Sequence, residues 1–165
     1  IFKAVGVSNY GTEAVKEAHA ALKARGVRLG SNQVKFSLST RKPETNGMLR
    51  LCEDLDVRVL AYSPLAQGFL TGKYSKDYIP SGPRGKLFKS QLPKIEPLVS
   101  KLKEIGAPSR DKTPAQVSLN WCIAKGTIPI PGAKNIRQAD ENCGALGWRL
   151  SAEEVAALDS ASAGL

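Results

Sequence analysis

The sequence is poor in the residues from which metal centres and proton relays are built. It holds one histidine and three cysteines in 165 residues. Cys52, Cys122 and Cys143 are odd in number and widely spaced, and no CxxC pair exists. That pattern argues against structural zinc and against a disulfide scaffold. The three read as reduced thiols packed on helices, and no metal site is expected. No run approaches the roughly 18 apolar residues that a spanning helix needs, so no membrane span is expected. The opening "IFKAVGVSNY" has neither a charged leader nor an initiator methionine, and it reads as mid-strand in a longer chain. No GxGxxG follows the first strand-like run, which removes the Rossmann signature. A dense basic block is also missing. The net charge is +9, yet the basic residues are scattered and often neighbour acids, as in "KEAHAALKAR" and "KLKEIG". The densest basic stretch, Lys73 to Lys89, is interleaved with proline, glycine and serine. It suits a phosphate-facing loop or a solvated surface better than a nucleic-acid interface, and no nucleic-acid partner is expected.

What is present is a balanced composition, 42% hydrophobic and 24% charged, in a length that supports one domain with a core. "FKAVGVS" (2–8) predicts a strand. Thr12 predicts a helix cap, with Val15, Ala18 and Leu22 at helical spacing to about Arg25 and Gly26 as the stop. "NQVKFS" (32–37) predicts a second strand. Residues 45–55 predict a helix with Met48, Leu49, Cys52 and Leu55 on one face. "VRVLAY" (57–62) predicts a third strand. Residues 74–90 read as loop because of Pro80, Gly82, Pro83 and Gly85. A helix is expected over 93–105, ending at Gly106. "TPAQ" (113–116) combines an N-cap threonine, a proline at the first helical position and a glutamine three residues after the cap. "TIPIPG" (127–132) is a short fourth strand, and residues 135–146 a helix. "SAEE" (151–154) is a capping box that opens a last helix to about Ser162.

Apolar strands joined by helical crossovers predict an α/β protein with a parallel sheet buried on both faces. Two architectures fit: a doubly wound open sheet, or part of a (β/α)8 barrel. In both, polar residues at the C-terminal ends of the strands form the site. Those ends carry Ser8 and Asn9, Gln33 (early on its strand), Tyr62 and Ser63, and Pro131 and Gly132.

Each of these residues has a plain reading and a functional one. Ser8 and Asn9 are turn-forming types. Gln33 offers a donor and an acceptor in one side chain. Tyr62 suits a core aromatic, or a flat platform for a ring ligand. After it, Gly68 and Gly72 let the backbone approach a ligand closely, and Lys73 adds positive charge. "GFLTGKY" is not a Walker A loop. Only three residues separate its glycines, and Tyr74 stands where a magnesium-binding serine or threonine belongs. "PGAKNIRQADEN" places free N–H groups and a helix dipole after a strand, which suits phosphate. Gln138, Glu141 and Asn142 fall at i, i+3 and i+4 on one helix face.

Four segments, "GVSNY" (6–10), "SNQVKFS" (31–37), "LAYSPLAQGFLTGKY" (60–74) and "IPIPGAKNIRQADEN" (128–142), resemble successive signatures of the aldo-keto reductases. They occur in that family's order and rough spacing and cover essentially the whole chain. The resemblance is to the branch with plant and algal plastid reductases, pyridoxal reductases and potassium-channel beta subunits. It implies a (β/α)8 barrel that binds NADPH without a Rossmann motif. Residues 1–165 would be the C-terminal half of one domain, strands five to eight, with the N-terminal half absent. It further implies that Ser8, Asn9 and Gln33 meet the nicotinamide carboxamide and that Tyr62 stacks on the nicotinamide ring. Ser63, Pro64, Leu65, Gln67 and Gly68 would carry the pyrophosphate with Lys73, and Arg84 would fold over the phosphates. Gly132 and Lys134 would meet the 2′-phosphate region, and Gln138, Glu141 and Asn142 the adenosine. The charge of Lys134 and the basic loop favours NADPH over NADH.

The family's acid tyrosine, with its lysine, histidine and aspartate, belongs to the first four strands, and none is identified here. His19 lies mid-helix between alanines and reads as a surface or packing residue. No catalytic residue is assigned. Two functions of different class follow. One is NADPH-dependent reduction of a small aldehyde or ketone to an alcohol. The other is a non-catalytic, cofactor-binding or structural subunit of a larger assembly, or one completed by the missing N-terminal half. The closest resemblance implies the chloroplast, otherwise the cytoplasm.

Overall fold

The computed structural model describes residues 2–75, 78–79, 83–107 and 110–165, with the side chains of residues 83, 84 and 87 outside that description. Four strands form one parallel sheet in the order β1-β2-β3-β4: β1 (Ala4–Ser8), β2 (Arg28–Lys35), β3 (Arg58–Tyr62) and β4 (Ile128–Ile130). The crossovers are α1 (Thr12–Lys23), then α2 (Lys42–Thr45) with α3 (Met48–Asp54), then α4 (Pro83–Gly106) with α5 (Pro114–Ala124). Helices α6 (Ile136–Cys143) and α7 (Ala152–Ala161) follow β4.

Sequential strand order chooses between the two architectures. A doubly wound sheet reverses direction once and so places helices on both faces. Here every crossover steps the same way, and crossovers of one hand put all helices on one face. The packing agrees. Val34, Val57 and Val59 meet Val15 of α1 and Met48 and Cys52 of α3. Phe36 and Ala61 join Phe88, Leu92, Leu98 and Leu102 of α4, and Val117 and Trp121 of α5. Phe36 stacks on Trp121 with ring centroids 5.1 Å apart. Among the described residues no helix packs on the opposite face of the sheet, which corrects the expectation of burial on both faces. On that face Ile128 is 47% exposed and Ile130 41%. Among the described residues no helix is long and apolar enough to cross a membrane.

Several boundaries differ from the sequence reading. Gly11, not Thr12, stands at the N-cap of α1. β2 begins at Arg28 rather than residue 32, because pairing of Ala4 with Arg28 and Val5 with Leu29 extends it through a polar stretch. The helix expected over 45–55 is two pieces parted at Asn46 and Gly47, where Gly47 takes φ +80°. The segment read as loop to residue 90 becomes helical at Pro83. Phe88 is fully buried and stacks on Phe69 at 3.8 Å, so tertiary burial outweighs the local proline and glycine. Pro93 and Pro97 stay inside α4, four residues apart on its exposed side. The fourth strand is shorter than 127–132, and α6 stops at Cys143 rather than 146. Cys143 is exposed at the end of α6, unlike the packed thiol expected, whereas Cys52 and Cys122 are buried. Both capping boxes form as read, Thr113 with Gln116 and Ser151 with Glu154.

Candidate functional site

Register brings the predicted strand-end residues together. Ser8 pairs with Gln33, Lys35 with Tyr62, and Tyr62 with Ile130. Alternation along each strand then puts Ser8, Gln33, Lys35, Tyr62 and Ile130 on one side, the side without helices. Gln33 is not early on its strand. With β2 starting at Arg28 and ending at Lys35, it lies close to the C-terminal end. Gly132 leaves the sheet two residues beyond Ile130, the register partner of Tyr62. The four strand exits are therefore neighbours along one rim.

At the β1 exit, the Ser8 hydroxyl donates to the Gln33 carbonyl at 3.1 Å, and the Asn9 backbone N–H donates to the same oxygen at 2.8 Å. Asn9 Nδ2 donates to Ser8 Oγ at 3.3 Å. Among the described residues no hydrogen bond engages the Gln33 side-chain amide, so its donor and its acceptor are both available. Tyr62 is half-buried, and no other described ring stacks on it.

The β3 exit concentrates unusual backbone. Ser63, Ala66 and Gln67 take φ of +53°, +48° and +58°, beside Gly68 at +100° and Gly72 at +70°. A non-glycine residue in this region costs about 1–2 kcal/mol. Packing holds the conformation: Pro64 is buried, and Ala66, Phe69 and Leu70 enter the core around a short 3-10 stretch, Ala66–Thr71. Thr71 Oγ1 closes the turn by donating to the Gly68 carbonyl at 2.8 Å, and Leu65 accepts from the Gly68 and Leu70 N–H groups. Among the described residues six non-glycine positions have positive φ. Ser63, Ala66, Gln67 and Asn9 all lie at strand exits, the pattern of strain that folds retain where a ligand sits. Lys73 is exposed, with Nζ 5.5 Å above the Tyr74 ring. Arg84 falls in the first turn of α4, and its side chain lies outside the described residues, as do residues 80–82.

At the β4 exit, Gly132 and Lys134 are exposed and Asn135 caps α6, its Oδ1 accepting from the Gln138 N–H at 3.0 Å. Gln138 Oε1 accepts from the Lys134 N–H at 2.7 Å, and Asn142 Nδ2 donates to the Gly132 carbonyl at 3.5 Å. Both side chains therefore brace the turn that was expected to meet phosphate. Each keeps its other amide group free of any described partner. Glu141 is half-buried, and its carbonyl accepts from Gln116 Nε2 at 3.0 Å, which fixes α6 against α5.

Two hollows flank this rim. One, of about 330 Å³, lies between the β2 and β3 exits and α4, and Lys35, Thr40, Gln67 and Lys94 line it. The other, of about 300 Å³, lies between the β1 exit and α2, lined by Asn9, Tyr10, Lys35 and Lys42 among others. Neither contains the Gly132–Asn142 end, so the predicted residues form an open rim and not a closed cavity. Lys35 borders both hollows and was missed in the sequence. The signal was its position two residues after Gln33 on the same strand face. Asn32 was also missed, although a polar residue on the helix-facing side of a buried strand calls for a partner. His19 lies half-buried on α1, away from the rim. Among the described residues no group of three histidine, cysteine or acidic side chains could hold a metal.

A parallel sheet in sequential order, helices on one face and a polar rim at the strand ends define a segment of an α/β barrel. Comparison with known proteins agrees. Residues 1–163 match the model of the aldo/keto reductase family. The chain is 49% identical over 162 residues to the chloroplastic pyridoxal reductase of Arabidopsis thaliana, covering 98% of this chain and 44% of that protein. It is 33% identical over 158 residues to an NADP(+) aldo-keto reductase of Schizosaccharomyces pombe, covering 89% of this chain and 44% of the other. Among solved structures, a glycerol dehydrogenase from Gluconobacter oxydans superimposes with a TM-score of 0.80 at 25% identity, covering 96% of this chain and 48% of that one. A thermostable aldo-keto reductase in complex with epalrestat gives 0.71 at 27% identity, with the same coverage of 96% and 48%. The chain belongs to the aldo-keto reductase family, and its fold is a partial barrel of that type. It spans less than half the length of the relatives it matches.

Proposed function

We propose that residues 1–165 are the cofactor-binding, C-terminal half of a single (β/α)8 domain that reduces a small aldehyde or ketone with NADPH. The observation that carries this reading is the placement of Ser8, Gln33 and Tyr62 on the helix-free face near three neighbouring strand exits, Ser8 opposite Gln33 and Tyr62 opposite Lys35, two residues further along β2. A nicotinamide carboxamide needs one donor and one acceptor, and the free amide of Gln33 offers both, with Ser8 and Asn9 beside it. The Tyr62 ring would cover one face of the nicotinamide and keep water from it. The bound cofactor would supply a hydride to the carbonyl carbon. Ser63, Pro64, Leu65, Gln67 and Gly68 would cradle the pyrophosphate through the backbone of this turn, with Lys73 and Arg84 supplying charge. Gly132 and Lys134 would take the 2′-phosphate at the start of α6, and the free amide groups of Gln138 and Asn142, with Glu141, would face the adenosine.

The proton donor and its partners would come from the part of the domain outside residues 1–165. The non-catalytic alternative draws no support from the relatives, which carry reductase and oxidoreductase names. The name of the Arabidopsis thaliana relative, described as chloroplastic, supports a plastid location. NADPH fluorescence titration of the full-length protein tests the reading. Saturable quenching is expected, with affinity lowered about fivefold or more in Tyr62→Ala, as loss of a stacked ring costs on the order of 1–3 kcal/mol. Absence of any quench in the unsubstituted protein would overturn it.

A further inference from the structure

We propose that Asn32 is a positioning residue for the nicotinamide end of the site, acting through the loop that carries Ser8 and Asn9; this rests on the cofactor reading above. Asn32 is 0% exposed. It precedes Gln33 on β2 and so points to the opposite side of the strand. Its amide forms a two-bond ring with the backbone of Tyr10. Asn32 Nδ2 donates to the Tyr10 carbonyl at 3.1 Å, and the Tyr10 N–H donates to Asn32 Oδ1 at 3.4 Å. The same Nδ2 also lies 3.5 Å from Met48 Sδ, which accepts from Cys52 Sγ at 3.6 Å. The side chain is thereby anchored to α3 on one side and grips the loop on the other.

The loop needs that grip. Asn9 is in the left-handed region at φ +57°, and residues 8 to 11 are all exposed. Two adjacent residues of β2 hold it from different directions. The Gln33 carbonyl binds Ser8 and the Asn9 N–H, and the Asn32 side chain binds Tyr10. Together they fix Ser8 and Asn9 relative to the Gln33 amide, the three groups assigned to one carboxamide. A side chain without an amide at position 32 removes the second hold and lets the loop swing about the first. The Gly132 turn at the far end of the rim shares none of these bonds, so an effect transmitted by Asn32 should be confined to the nicotinamide end.

The test compares two ligands in the full-length protein: NADPH, and 2′,5′-ADP, which has the adenosine and the 2′-phosphate but no nicotinamide. Asn32→Ala and Asn32→Ser should each weaken NADPH about tenfold while leaving 2′,5′-ADP within about twofold. The serine variant carries the test if the alanine variant does not fold. Unchanged NADPH affinity, equal weakening of both ligands, or failure of both variants to fold would overturn the positioning role. If the unsubstituted protein bound neither ligand, the cofactor reading would fall first and this proposal with it.

Discussion

Asp159 of α7 holds together three parts of the chain far apart in sequence, so its loss should be costly in a calculable way. Its carboxylate accepts from Trp121 Nε1 at 2.9 Å and from Lys125 Nζ at 2.6 Å, and lies 3.3 Å from Arg41. Glu44 completes the cluster, 2.8 Å from Arg41 and 2.6 Å from Lys125. Two cations thus face two carboxylates, each side chain a quarter exposed or less. Asp159→Ala leaves the fully buried Trp121 with an unpaired indole N–H, a loss of about 1–3 kcal/mol. It also leaves one carboxylate for two cations. Breaking a buried pair costs about 3–5 kcal/mol, and the solvent that reaches this cluster reduces that to about 1–2 kcal/mol. The sum is about 2–5 kcal/mol. Asp159→Asn keeps an oxygen for the indole but loses the charge and the second oxygen that accepts from Lys125, so it should cost about 1–2 kcal/mol. Urea unfolding of the full-length protein at neutral pH, followed by tryptophan fluorescence, reads both as shifts in midpoint at constant slope. Equal losses in the two variants, or a loss below about 0.5 kcal/mol in Asp159→Ala, would refute the account of this cluster.

The same cluster sets an acid response. Burial alone would raise the Glu44 pKa, but the hydrogen bonds and charges of Arg41 and Lys125 override it and hold the carboxyl below its ordinary 4.5. A lowered pKa means that the stabilisation is fully present above that ordinary value and is lost as pH falls below it toward the folded-state value. Glu44→Gln should therefore destabilise at neutral pH and flatten the stability curve below about pH 4.5, measured by urea midpoints across pH; an unchanged curve would count against the pairing. Thiol chemistry gives a separate check. Burial pushes the Cys122 thiol up to about 12 and raises Cys52 as well, while Cys143 is exposed. Peptide mapping after brief alkylation of the native protein should find Cys143 modified and the other two protected; early modification of Cys122 would contradict the packing of α5.

Much of the candidate rim was legible because its residues sit where local rules place them. Ser8 with Asn9, Tyr62 with Ser63, and Pro131 with Gly132 each follow an apolar run, and the ends of such runs in a parallel sheet share a rim. Both capping boxes were legible for a similar reason, since Thr113 with Gln116 and Ser151 with Glu154 complete their bonds within four residues. Asn32 and Lys35 were passed over because their meaning depends on neighbours from other strands. Asn32 matters through Tyr10, 22 residues away, and Lys35 through its pairing with Tyr62. The start of α4 was hidden for the opposite reason: proline and glycine argued locally for a loop, and burial of Phe88 against Phe69 argued for a helix.

From the amino-acid order alone came the alternation of strands and helices, the parallel sheet, the residues of the rim and the family resemblance, since each is written in short-range periodicity or contiguous motifs. Periodicity alone left an open doubly wound sheet and a barrel segment both standing, because strand order is a relation between segments that periodicity does not encode. The family resemblance implied the barrel, and the sequential strand order of the folded chain agrees. Only the folded chain decided which face of the sheet stays bare and which side chains hold the loops of the rim. Those depend on register and on hydrogen bonds closed across dozens of residues, where the free energy of burial, not local propensity, selects the outcome.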